Sequence, residues 1–412
     1  MKKICILTQS HLCRNPRVVK EANALHRAGY PVKILTTFSD MQQLREDKSL
    51  IESGIELKGV SNIIPGHTSK LRNLFTRLRR RIAVELTARL GWEDPEALGY
   101  GFRKNLKAAR KEQAGLYACH QEMATAIGYK LLKEGHRVAF DLEDWYSHDL
   151  LPEANKYRPL QLLEKYEKYA LTHASLVYTT SESMAGRLAR FAGTSAPGVL
   201  YNAFPLKERE WLDNKRLDKK DPDKVSVHWY SQTAGPGRGL EFLIRALDNV
   251  YTPVELHLRG NCRPDYEKQL HGLFPHEKGH ELFIHPLVPH KELLSRIAEH
   301  DIGLALEEYA PDSRDLTITN KILQYILAGL AVVASDTSGQ KEVARKAPES
   351  VFIFNRATPE ELSTILNQLI EDKSMLAKAK EKSLTYAENI FCWEEQEKKL
   401  VKWVQGVMRD TR

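Results

Sequence analysis

The chain has 412 residues, which is long for one ordinary core and fits two domains. Its 42% hydrophobic and 28% charged residues suit a globular enzyme rather than a disordered chain, and a net charge of +7 suits an anionic partner without selecting one. Cys5, Cys13, Cys119, Cys262 and Cys392 are scattered and never form CxxC, so they read as reduced cytosolic thiols rather than a disulfide framework or a zinc site.

The opening MKKICILTQS runs straight into polar residues and reads as a first strand, not a signal peptide. After it, PVKILT, HRVAFDL, ASLVYTT and PGVLY read as strands, with helices over Pro16–Ala28 and Leu160–Thr172. Next comes KEREWLDNKRLDKKDPDK, dense in charge and poor in apolar residues, which marks a linker over 206–224. KVSVHWY then restarts the alternation, followed by VELHLRG, ELFIHP, DIGLAL and LAVVAS, with helices over Leu240–Asn249 and Lys291–Glu299. Continuous apolar strands between helices imply parallel sheets buried on both faces. The expectation is two doubly wound α/β domains, 1–205 and 225–389. A closing helix within 390–412 is expected to pack back on the first. The longest apolar stretch, near Ile326–Ala334, is short of the ~20 residues of a membrane span, so any membrane contact is expected to be peripheral.

In open α/β sheets ligands bind at the carboxyl ends of the strands. Two loops there carry candidate chemistry. In SQTAGPGRGLEFLIRAL, Gly237 and Gly239 let backbone amides approach a ligand at a helix N-terminus, and Arg238 adds a planar cation. This suits a phosphate or diphosphate; the other reading is a flexible turn with a solvated arginine. In EEYAPDSRDLTITNKILQYILAG, Thr319 or Asn320 caps a helix and Lys321 can reach an anion, or the lysine is simply solvated.

The segments GRGLEFLIRA, HPLVPHKELLSRIAEHDIGLAL and NKILQYILAGLAVVASD together resemble the donor-binding half of glycosyltransferase family four. NPRVVKEANALHRAGYPVKILT, ASLVYTTSESMAGRL and GVLYNAFP resemble its first domain, and only 61–132 and the linker fall outside the resemblance. It implies a GT-B fold, two Rossmann-like domains facing across a cleft, and a retaining, metal-independent transferase using a nucleotide-sugar, UDP- or GDP-linked. Arg238 and Lys321 would then neutralise the leaving diphosphate, with backbone groups at Gly237, Gly239, Thr319 and Asn320 assisting. Gly260 would lie near the nucleotide, and the backbone around His285 and Leu287 would hold the base. Two departures stand out. The family usually places a ribose-binding glutamate where Gln324 stands, and a second basic residue where Gln232 and Thr233 stand.

On the acceptor side, the polar cluster after HRVAFDL offers Asp144 and His148 to orient a sugar or acceptor hydroxyl, or merely for loop solubility and helix capping. Ser10, His11 and Arg17 could line the same side; capping and a surface arginine are the alternative. Lys70–Trp92 is a basic helix candidate with Leu71, Leu74, Phe75, Leu78, Ile82 and Leu86 at helical spacing. It suits an anionic membrane surface, or else a core-facing amphipathic helix. No nucleic-acid module is visible. The run His271, His276, His280, His285, His290 matches no helix face, and no metal site is expected. Together these point to a cytoplasmic glycosyltransferase of bacterial envelope or capsule assembly with a saccharide or lipid-linked acceptor. A sugar-nucleotide epimerase and a non-catalytic nucleotide-sugar-binding homologue are the rivals.

Overall fold

The computed structural model describes residues 2–67 and 69–409, so the last three residues of the expected closing segment lie outside it. The chain divides into two compact units. One comprises the chain up to Leu200, Pro311–Ser313 and the chain from Glu397 onward; the other is Tyr201–Ala310 with Arg314–Gln396.

The first unit is built on seven parallel strands: β1 (Ile4–Leu7), β2 (Val32–Phe38), β3 (Glu56–Asn62), β4 (Leu116–His120), β5 (Val138–Leu142), β6 (Leu176–Thr179) and β7 (Gly198–Val199). They are ordered β3-β2-β1-β4-β5-β6-β7. Every residue of β1, β4 and β5 is buried, as apolar runs flanked by helices on both faces require. Two of these strands escape sequence patterning. β4, LYACH, has no β-branched residue, and β3, ELKGVSN, is a partly exposed edge strand with no apolar run. The helix Trp393–Arg409 enters this unit from Glu397, where Trp403 packs on Tyr178, ring centroids 6.1 Å apart.

The second unit has six parallel strands: β8 (Val225–Ala234), β9 (Val254–Cys262), β10 (Glu281–His285), β11 (Ile302–Ala305), β12 (Ala331–Ser335) and β13 (Val351–Phe354), ordered β10-β9-β8-β11-β12-β13. Val227, Trp229, Leu243, Leu256, Leu304 and Val333 belong to its core. The four-residue edge strand β13 is absent from the strands that the sequence pattern yields. The expected linker is folded onto this unit rather than free. The buried Glu255 and Glu299 carboxylates accept the backbone amides of Lys220, Asp221, Leu217 and Asp218, and Arg296 holds Asp213.

In each sheet the chain builds outward from a central strand, then returns to its other side. The reversals fall between β1 and β4 and between β8 and β11. At such points two adjacent loops diverge and open a crevice for a ligand.

Candidate functional sites

In the second unit, the loops after β8 and β11 meet at the reversal. β8 runs on to Ala234, with a register shift between Tyr230 and Thr233, so Gln232 and Thr233 are exposed strand residues and the turn proper begins at Gly235. Gly239 is the N-cap of the helix Leu240–Leu247 at φ +78°, and a Cβ there would lie 3.2 Å from the Leu306 Cβ. Only glycine takes that conformation cheaply so close to a neighbouring loop. Gly260, two residues before the end of β9, is tighter still: a Cβ would stand 2.5 Å from the Ser231 carbonyl oxygen. Arg238 is exposed and makes no hydrogen bond or ion pair with the described residues.

The helix Asn320–Ala328 starts on the other side of this crevice. Thr319 occupies its N-cap position, but its hydroxyl makes no capping bond and is buried without a partner, unlike the expected cap. Asn320 is exposed and accepts from Asn202 at 3.2 Å. Lys321 is not simply solvated: its ammonium lies 2.5 Å from Glu307 Oε1. Arg356 donates to the Glu307 carbonyl and to Glu308. Gln324 is buried and accepts from the Tyr230 hydroxyl. Arg238, Gly237, Gly239, Lys321 and Gln324 therefore gather at the β8/β11 reversal. Two sequence-silent partners, Glu307 and Tyr230, hold Lys321 and Gln324.

Along the same carboxyl edge, β10 ends at His285. Its ring bonds His257 at 3.0 Å and faces Asp218 at 3.4 Å, so both nitrogens are engaged within the protein. Leu287 follows as an exposed apolar residue, and Arg259 donates to the Pro286 carbonyl. His285 belongs to a buried row with His228, His257 and His300, not to the histidines near it in sequence. Burial pushes His257 down to about 3 and the other three below the usual range.

In the first unit, two expected acceptor-side residues are structural instead. Arg17 is 1% exposed; its guanidinium donates to both Asp141 oxygens at 2.5 and 2.9 Å and to the Leu200 carbonyl at 2.9 Å. His11 is also buried, its Nδ1 2.6 Å from Asp47 and its Nε2 accepting from the Ser39 and Asp40 amides. Neither has a group left for a ligand. Ser10 is half-buried and donates to Gln121 Oε1 at 3.1 Å.

Gln121, just past β4, is the residue that sequence reading missed. It sits at φ +71°, unusual for a side-chain-bearing residue, and its amide oxygen also accepts from Thr8 Oγ and the Gln9 amide. It thereby ties the two loops of the β1/β4 reversal together. No local signal announces such a residue, because its partners lie more than a hundred positions away.

Beneath the reversal lies a buried charge network of Arg17, Glu21, His120, Asp141 and Tyr178. Glu21, His120 and Asp141 converge closely enough to suit a metal ion. However, Arg17 already neutralises Asp141, and the two carboxylates overcome burial to raise His120 to about 10, so the cluster balances its charge without an ion. Burial alone would raise the Asp141 carboxyl; Arg17 and His120 hold it at about 2.

At the carboxyl end of β5, Asp144 is half-buried, raised to about 6 by burial with Asp149, Glu122 and Asp141 nearby. Glu143 rises to about 8 through burial and the same carboxylate crowding, and it accepts from Asn15 at 3.2 Å. His148 stacks on Trp145, ring centroids 3.8 Å apart, and burial pulls its imidazolium below the usual range. Asp144 and His148 thus share one strand end with Glu143.

The basic helix spans Lys70–Leu90, and its packing is the reverse of a core-facing amphipath. Thr76, Ala83 and Thr87 face inward, while Leu71, Leu74, Phe75, Leu78 and Ile82 are exposed, as is Trp92 beyond it. Phe75 and Trp92 are 68% and 66% exposed. A groove of about 930 Å³ runs along this apolar face, bordered by Arg79, Arg103 and Lys104 and by the carboxylates of Asp94 and Glu96. No helix among the described residues is long and apolar enough to cross a membrane.

Residues 227–372 match the family model described as glycosyl transferases group 1. No curated protein matches the chain. Among solved structures, Anabaena HepE, crystallised in complex with UDP, is similar at TM-score 0.67 and 17% identity, covering 98% of this chain and 100% of its own. The sucrose-phosphate synthase of Thermosynechococcus elongatus follows at TM-score 0.69 and 14% identity over 99% of both chains. A UDP-forming trehalose-phosphate synthase from Burkholderia xenovorans is similar at TM-score 0.67 and 10% identity, again over 99% of both. These likenesses establish the fold as GT-B, two Rossmann-like domains.

Proposed function

We propose that the chain is a glycosyltransferase that moves a hexose from a nucleotide-sugar, UDP- or GDP-linked, to a saccharide or lipid-linked acceptor. The observation that carries this reading is the β8/β11 reversal. The exposed Arg238, the open N-terminus of the helix Leu240–Leu247 and Lys321 supply positive charge there for a diphosphate. HepE, similar over its whole length, is known in complex with UDP-glucose, which favours the uridine donor. In this reading Glu307 poises Lys321 as counter-charge until the diphosphate arrives, and Arg238 and Lys321 stabilise it as it leaves. Cationic side chains in that role make a metal unnecessary, and the resemblance to family four supports retention of configuration. Asp144 and His148 orient the sugar or the acceptor hydroxyl in the first unit.

The exposed apolar face of the helix Lys70–Leu90, with Arg77, Arg79, Arg80 and Arg81 on the same helix, supports peripheral contact with an anionic membrane. That contact, with the resemblance, favours a lipid-linked acceptor and a place in bacterial envelope or capsule assembly at the cytoplasmic face. Phe75→Asp with Trp92→Asp should abolish co-sedimentation with phosphatidylglycerol vesicles; unchanged binding would remove the membrane from this reading.

The donor reading is tested by thermal unfolding with UDP- and GDP-sugars, with and without a chelator. A ligand at a hundred times its Kd stabilises the fold by about 2.7 kcal/mol. Arg238→Ala should abolish that gain while changing intrinsic stability by less than about 0.5 kcal/mol, since Arg238 is exposed and unbonded. An equal gain in wild type and variant would refute the site. Binding without turnover would instead favour a non-catalytic homologue, the reading that Gln324, bonded to Tyr230, supports.

A further inference from the structure

Three side chains join the carboxyl end of β5 to the helix Leu160–His173. The Ser147 hydroxyl bonds Glu167 Oε2 at 2.6 Å, and the Ser147 amide donates to Glu167 Oε1 at 3.1 Å. Ser147 Oγ also lies 2.8 Å from His148 Nδ1. Glu167 is fully buried. The His148 ring is held between Trp145, on which it stacks, and the edge of Phe191. Its Nε2 is bonded to no described residue.

A serine hydroxyl has a single proton to give. If Ser147 gives it to an ionised Glu167, Oγ can only accept from His148, so Nδ1 must carry the imidazole proton. Nε2 then keeps its lone pair. If Glu167 is protonated, its O–H donates to Ser147, Ser147 donates to Nδ1, and the imidazole proton moves to Nε2. Both arrangements satisfy every group with the same heavy-atom positions, so the carboxyl alone selects between them.

We propose that Glu167, acting through Ser147, dictates which nitrogen of His148 carries the proton, and so whether Nε2 accepts from or donates to a ligand hydroxyl. Glu167 and Ser147 are positioning residues for His148. The ligand half rests on the sugar-transfer reading; the tautomer is a property of the folded chain alone.

The groups facing this relay are few. Glu167 lies near Asp149 and Glu164. His148 lies near Glu164 and Lys168 of the same helix, Arg187 of the helix Glu182–Ala192, and Asp312. Burial raises Glu167 to about 8 and lowers His148, so the imidazole stays neutral while Glu167 titrates.

Glu167→Gln tests the relay because the amide has only one way to fit. Its oxygen must face the donating Ser147 amide, which places its NH₂ against Ser147 Oγ. That reverses the relay and fixes the proton on Nε2. Nitrogen-15 NMR of the full-length, histidine-labelled protein reads the tautomer, with the His148 signals assigned by their loss in His148→Asn. In alkaline buffer, where Glu167 is ionised, wild type should show a protonated Nδ1 and Glu167→Gln a protonated Nε2. The same tautomer in both would overturn the proposal. Should Glu167→Gln fail to fold, Ser147→Ala serves instead. Loss of a single fixed tautomer supports the relay, and an unchanged wild-type tautomer overturns it. If the tautomers differ but the pH profiles of sugar transfer coincide, the ligand half falls and the relay stands.

Discussion

Replacing Arg17 by methionine separates a structural arginine from a ligand-binding one. The guanidinium lies 2.5 Å from Asp141 and 3.5 Å from Glu21, with all three side chains almost wholly inaccessible. Methionine keeps most of the packing volume but leaves two buried carboxylates facing one imidazolium, His120. Removing one partner of a buried ion pair costs about 3–5 kcal/mol, chiefly because the remaining charge is uncompensated. For a domain of this size each kcal/mol lowers Tm by about 2–4 °C, so the first unit should melt roughly 6–20 °C earlier. Hydrogen exchange followed by mass spectrometry assigns the loss: amides of β4 and β5 should exchange faster, while those of β8 and β9 should not change. Adding Asp141→Asn should restore part of the stability, since it removes the orphaned charge. A Tm within about 2 °C of wild type, with ligand binding lost, would refute the argument and return Arg17 to the acceptor site.

The same network gives the first unit a pH dependence. His120 is raised to about 10, so its contribution is complete below the ordinary imidazole range and is lost as pH climbs toward 10; His120→Asn should flatten that decline in urea unfolding. Gly239→Ala should lower stability by about 1 kcal/mol or more, because alanine resists φ +78° and its methyl meets Leu306 at 3.2 Å. It should also weaken UDP-sugar binding measured by calorimetry; full retention of affinity would show that the helix N-terminus is not used. Gln324→Glu should tighten UDP-sugar binding by roughly fivefold, as a charge-assisted bond to a ribose hydroxyl is about 1 kcal/mol stronger than a neutral one. Weaker binding would mean that the Tyr230 bond, not the ribose, decides this position.

The alternation of apolar runs with helical patterns was enough, by itself, to specify two parallel α/β sheets, because burial on both faces demands continuous apolar strands. The loop after β8 was legible for a similar reason. Glycine at 239 and arginine at 238 are local signals of a tight turn beside a charged ligand. Edge strand β3 was not legible, since ELKGVSN is polar, carries a glycine and has no continuous apolar run. The tertiary structure alone decided what each polar side chain does. Arg17 and His11 read as acceptor-side candidates, or as a surface arginine and a capping residue, until folding places Asp141 and Asp47 against them, 124 and 36 positions away. Lys321 and Gln324 read as ligand groups, and only the fold shows that Glu307 and Tyr230 hold them in place. The helix Lys70–Leu90 has a pattern that fits burial or a membrane equally, and only the small inward face of Thr76, Ala83 and Thr87 turns its leucines outward. Periodicity records which residues avoid water. The partner of a charge is chosen by contacts between distant strands and helices, which no local pattern contains.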